Sequence, residues 1–166
     1  MIGARRLLLA GGIVLALWGM GYGLWYAVFA EHQALEEIGA SLSTAFSSAA
    51  QRDAAQSGAA LLRYKESKFI YDRQVDVHSH WIGLAMVLIV VGLCFDRVSF
   101  SERTKLWLAV GLFAGACVFP LGVLFQIYNH GPLPRVLAIS GSALEIGSLC
   151  LIALGLARSQ SSKSRS

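Results

Sequence analysis

Four apolar stretches of this chain are each about as long as is needed to cross a bilayer. Leu7 to Ala30 is free of those charges for 24 residues, Val77 to Phe95 for 19 and Leu106 to Asn129 for 24, while Val136 to Ala157 carries only Glu145. About 20 residues of α-helix span a hydrocarbon core about 30 Å thick. The sequence therefore predicts an all-α, polytopic membrane protein, a bundle of four transmembrane helices at about 7–30, 77–95, 106–129 and 134–157. An outer helical segment, 31–76, folds as a hairpin, and a short basic tail, 158–166, is expected to be disordered from about Ala157. A composition 55% hydrophobic and 14% charged in 166 residues fits this class, because a soluble domain of that size cannot hide so much apolar surface.

Arg5-Arg6 ahead of the first stretch resembles the start of a signal peptide, but the apolar run exceeds the usual length and no A-x-A site closes it; it reads as a retained signal anchor. Orientation follows from basic residues. Arg5, Arg6, Arg97, Arg103, Lys105, Arg158, Lys163 and Arg165 fall on one side, eight Lys or Arg against six on the other, where the long outer segment is also rich in acid. The positive-inside tendency places both termini and the Asp96 to Lys105 loop in the cytoplasm, with the chain in the cytoplasmic (inner) membrane. Topology accounts for the net charge of +4, and no nucleic-acid partner is needed.

With that topology all four histidines lie at the outer face: His32 after the first span, His78 and His80 at the head of the second, His130 before the fourth. The second span reaches full thickness only by drawing His78 and His80 into its outer edge, where ionisable side chains are costly unless they find partners. At about 100° per residue the two rings point some 200° apart, so they suit two separate sites better than one small ion. The run Val77-His78-Ser79-His80-Trp81-Ile82-Gly83-Leu84 resembles the helix of haem-copper oxidase and nitric oxide reductase catalytic subunits, and of small four-helix membrane haem proteins, in which a His-x-His sends one imidazole to each of two haems. The resemblance covers about a dozen residues, and the oxidases' copper-holding histidines have no counterpart here. It implies haem b bound by His78 and His80, with His130 and His32 as opposing axial ligands by placement: His80 with His130, and His78 with His32. No C-x-x-C-H motif supports covalent attachment.

Two other readings stand beside it. Copper is the alternative metal, with His78, His80 and His130 as its ligands. A cofactor-free assembly or scaffold subunit is the alternative class, since Asn129-His130-Gly131-Pro132 also reads as a turn before a helix and His32, beside Glu36 and Glu37, as a solvated face. The haem reading makes the chain an electron-transfer protein or a small subunit of a respiratory complex, docking a larger membrane redox partner through the outer hairpin.

Glu145 lies about 15 Å below Arg135 in the fourth span. A carboxylate at that depth is expensive and marks a functional candidate, as a proton relay, a hydrogen-bond donor to a quinone or haem substituent, or interhelical glue. Gly111 and Gly115, Ala138 and Ser142, and Gly19, Gly21 and Gly23 provide small surfaces for close helix packing. In the outer segment Leu35, Ile38, Leu42, Phe46 and Ala49 mark an amphipathic helix, Gln56-Ser57-Gly58 the turn, and a second helix from about Ala59 leads back to His78. Cys94, Cys117 and Cys150 match no thiolate metal motif, and the chain has no phosphate loop, nucleophile elbow or zinc-protease motif.

Overall fold

A computed structural model describes residues 2–163, with side chains from Gly3 to Ser159. Five α-helices follow one another: α1 Ile2–Phe29, α2 Glu31–Ala50, α3 Ala54–Cys94, α4 Glu102–Phe125 and α5 Pro132–Lys163, with a 3-10 turn at Phe95–Arg97. Four of them, α1, α3, α4 and α5, are long and apolar enough to cross a membrane. No strand occurs among the described residues. α5 continues to Lys163, past the start of the expected tail, because nothing from Ala157 to Lys163 breaks a helix; 164–166 lie outside the described residues.

The first two helices are almost one. Ala30 is the only interruption, with φ −125° and ψ −33°, and backbone bonds run through it from Ala30 N to Tyr26 O (2.9 Å) and from Ala34 N to Ala30 O (3.1 Å). α1 and α2 thus form one long arm that returns along α3, an unbroken helix of 41 residues. At the α1 level the seam is apolar and tight: Leu8, Leu15, Val77, Ala85 and Leu88 are buried, and side chains placed on Gly12, Gly19 and Gly92 would run into the facing helix. At the α2 level it is made of small groups, Ser41, Ala45 and Ser48 against Ala60 and Ser67.

The turn at the hairpin tip falls at Gln51 to Asp53, five residues before the expected Gln56-Ser57-Gly58. Arg52 has φ 60°, with bonds from Arg52 N to Ala49 O (3.0 Å) and from Asp53 N to Ser48 O (2.9 Å). This is the pairing of a Schellman C-cap, with arginine where glycine is usual. Asp53 then caps α3, its side chain accepting from Gln56 N at 2.9 Å. The Asp53 cap puts Ser57 at the end of the first turn of α3 and Gly58 at the start of the second.

α1, α3 and α4 pack mutually, while α5 lies chiefly along α4. The α4 and α5 backbones come very close: a side chain on Gly122 would meet the Ala138 backbone, one on Gly141 would lie 2.5 Å from Phe119 N, and one on Gly111 would lie 2.9 Å from Ser148 Oγ. At the end away from the hairpin, Arg5 Nη1 donates to Asp96 Oδ2 at 2.8 Å, and Ser99 N donates to Gly155 O at 3.1 Å.

Candidate functional site

Because α3 is regular through His78 and His80, the two rings do leave the helix on different sides. His78 turns toward α1. Its ring sits where Gly23 lacks a side chain, and its Nδ1 is 2.9 Å from the carbonyl of Gly19. A glycine pair at i and i+4 makes a socket for the imidazole, so His78 fastens α3 to α1. His80 turns toward α4, its ring edge-on to Phe119 with centroids 4.7 Å apart, and its Nδ1 is within hydrogen-bonding distance of the Asp76 carbonyl one turn back.

In both residues a carbonyl facing Nδ1 selects the tautomer that carries the proton there and leaves a lone pair on Nε2. A histidine that ligates a metal is commonly held this way, with the other nitrogen donating to a backbone carbonyl. The same bonds also satisfy a half-buried imidazole on their own. For His78 the close approach of Gly23 to the ring leaves α1, not open space, in front of it.

His130 and His32 lie apart from this pair. The His130 side chain is 62% exposed, its Nε2 3.9 Å from Glu66 Oε1 and its ring 5.5 Å from the Phe69 ring. Phe69 and Glu66 precede His80 on α3 by about 16 Å and 21 Å along the helix axis. His32 is 83% exposed and pairs with Glu36 at 3.2 Å, about 13 Å beyond Gly23 along the α1–α2 arm. The structure therefore brings together neither His80 with His130 nor His78 with His32. Among the described residues no group of three or more His, Cys, Asp or Glu side chains is arranged to hold a metal ion.

Between His130 and His80 runs a polar line on one side of α3. Arg73 lies over the Phe69 ring (5.2 Å) and pairs with Asp76 at 3.3 Å. On the α1 side, Trp81 is 2% exposed and receives Trp18 and Tyr22 edge-on at 5.9 and 5.1 Å. Tyr22 and Tyr26 hydroxyls and Gln74 Oε1 are buried there without a hydrogen-bond partner. An open apolar cavity of about 280 Å³ between α1 and α4 is lined by Val14, Trp18, Trp81, Phe113, Cys117 and Leu121.

Glu145 is 7% exposed, packed against Gly115 of α4, and its Oε1 has no hydrogen-bond partner. It lies in the α4–α5 seam, facing Gly115. Two partners are not legible in the sequence, the Gly19 and Gly23 socket for His78 and the Phe119 ring beside His80. The glycine crowding in α1 was visible; its pairing with one particular histidine needed the register of α1 against α3. No protein-family model, curated protein or solved structure matches this chain.

Proposed function

We propose that this chain is an inner-membrane electron-transfer protein that binds one b-type haem through His80, with both termini cytoplasmic and the hairpin outside. The observation that supports it is the bond from His80 Nδ1 to the Asp76 carbonyl, which leaves Nε2 as a free ligand nitrogen held in a fixed direction. Four helices long and apolar enough to cross a membrane supply the setting. Haem would supply reversible one-electron chemistry. The chain's own part would be to orient the ligand: the Asp76 carbonyl fixes the tautomer and Phe119 restricts the ring plane.

This reading is narrower than a pair of bis-histidine sites. His78 is committed to α1, and His32 and His130 lie on the exposed hairpin side without facing a second imidazole. Copper draws less support, because its donors would have to be gathered from these separate places. A cofactor-free scaffold subunit is the second reading, favoured by His78 acting as a helix fastener and His130 as a loop contact.

The test is the visible spectrum of the protein purified in mild detergent, oxidised and dithionite-reduced, with metal analysis of the same sample. The haem reading expects a Soret band that shifts on reduction, lost in His80→Ala and kept in His130→Ala. A folded, colourless and metal-free protein would leave the scaffold reading; metal without a Soret band would favour copper.

A further inference from the structure

The α1–α3 seam changes character along its length. Over Leu8 to Leu15 of α1 it is closed by apolar side chains, Ala85 and Leu88 of α3 among them, and the Gly19 and Gly23 socket then closes on His78. Toward the hairpin it fills with polar groups. Gly19 meets Trp81 and Ile82, and Gly23 meets His78, so in this antiparallel pair Tyr26 falls level with Gln74 and Val75. Tyr26 is 6% exposed and Gln74 9%, yet neither Tyr26 Oη nor Gln74 Oε1 has a hydrogen-bond partner. Turning the Gln74 amide over exchanges its oxygen for its nitrogen and leaves a polar atom in the same place. Tyr22 Oη, one turn further in on α1, is a third buried oxygen without a partner, within electrostatic reach of Tyr26. On the hairpin side stands the Tyr71 ring, its centroid 6.4 Å from that of Tyr26.

We propose that this end of the seam is a binding site for ordered water, held between Tyr26 and Gln74. Cost is the first reason. Folded proteins rarely leave a buried polar side-chain atom unpaired, and here three such atoms share one seam within about two helical turns. Chemistry is the second. A buried water makes two to four hydrogen bonds, and these groups can supply them: the Tyr26 hydroxyl donates to the water, the water donates to Gln74 Oε1, and its second hydrogen is left for Tyr22 Oη. Location is the third, since the seam joins two of the helices long and apolar enough to cross a membrane, where lipid tails offer no substitute partner. The seam then turns from dry to wet about one helical turn from His78, and the water fastens α1 to α3 at a level where side chains do not. None of this depends on a cofactor.

The test uses the full chain in lipid nanodiscs, mixed briefly with heavy-oxygen water and pulsed with X-rays, which make hydroxyl radicals from whatever water lies beside a side chain. Mass spectrometry reads which oxygen each tyrosine gains. Tyr26 is expected to be labelled in spite of its burial, mainly with the light oxygen of water already in place, while Tyr128, 77% exposed, takes heavy oxygen from bulk. Gln74→Leu should lose the Tyr26 label and keep the Tyr128 label. In mixed micelles Tyr26→Phe should unfold at lower SDS, because it removes a bonded hydroxyl; removal of an unbonded one would raise the midpoint. An unlabelled Tyr26 in the native chain would mean a dry seam or a direct Tyr26–Gln74 bond, and a label as heavy as that of Tyr128 would mean an open crevice with no held water. Either result overturns the proposal, as does a Tyr26 label that survives Gln74→Leu or a Tyr26→Phe chain as stable as the native one. Labelling of the native chain decides the matter if the variants fail to fold.

Discussion

The socket for His78 makes a quantitative prediction about two residues 55 positions apart in sequence. A β-carbon on Gly23 would fall within the imidazole of His78, against Cε1, Nδ1 and Nε2 together. Gly23→Ala must therefore expel the ring or separate α1 from α3, and overpacking of this kind costs about 1–3 kcal/mol. His78→Ala alone loses the bond to the Gly19 carbonyl, about 0.5–1.5 kcal/mol, and leaves a hole between the helices. In the double variant the new methyl group enters space that the ring has vacated, so the clash disappears. The combined loss should fall short of the sum of the single losses by about 1–2 kcal/mol. Unfolding in mixed micelles with increasing SDS, followed by far-UV circular dichroism, measures all four proteins. Additivity within about 0.5 kcal/mol would mean that the two residues do not share a contact, and the view of His78 as a helix fastener would fail.

Three further outcomes follow from the packing. Arg52→Gly should stabilise the hairpin by about 1 kcal/mol, because glycine occupies the left-handed conformation without the β-carbon penalty; slower amide exchange in α2 would register it. Gly122→Ala should destabilise by more than about 2 kcal/mol, since its β-carbon would meet the Ala138 backbone, whereas Gly147→Ala, with open space around it, should be neutral or stabilising by up to about 1 kcal/mol. Equal effects at the two positions in the same micelle assay would refute the close α4–α5 seam. Glu145→Met should leave stability unchanged or raise it by about 1 kcal/mol, because an apolar side chain of similar length removes an unpaired buried oxygen; a large loss would show that the carboxyl holds a partner and acts as glue.

The four long helices were legible because hydrophobic length is a one-dimensional property: no knowledge of partners is needed to see that Leu106 to Asn129 can cross a bilayer. The hairpin was legible for the same reason, through the apolar spacing of Leu35, Ile38, Leu42 and Phe46. Its tip was not. Gly58 drew the turn toward itself, while the chain reverses at Arg52, held in the left-handed region by a C-cap on one side and Asp53 on the other. Nor does periodicity say which face a helix buries when two faces compete. Ser41, Ala45 and Ser48 lose little by packing, and their small size lets the backbones approach, so α2 presents them to α3 and leaves the larger residues outside.

The histidines show where sequence geometry ends. Spacing alone established that His78 and His80 diverge by about 200° on a regular helix. It could not say that each ring would be oriented by a backbone carbonyl through Nδ1, one from its own helix and one from its neighbour. That difference separates their chemistry. A carbonyl from the same helix, as at His80, orients the ring whatever α4 does, so the residue can keep its geometry while a ligand enters beside Phe119. A carbonyl from the facing helix, as at His78, orients the ring only while α1 stays in place, and the Gly19 and Gly23 surface that accepts the ring also closes it off. Two histidines on one unbroken helix thus divide into one suited to hold a ligand and one suited to hold the fold. On the proposed haem reading their variants should separate in the same way, His80→Ala through loss of the haem spectrum and His78→Ala through loss of stability.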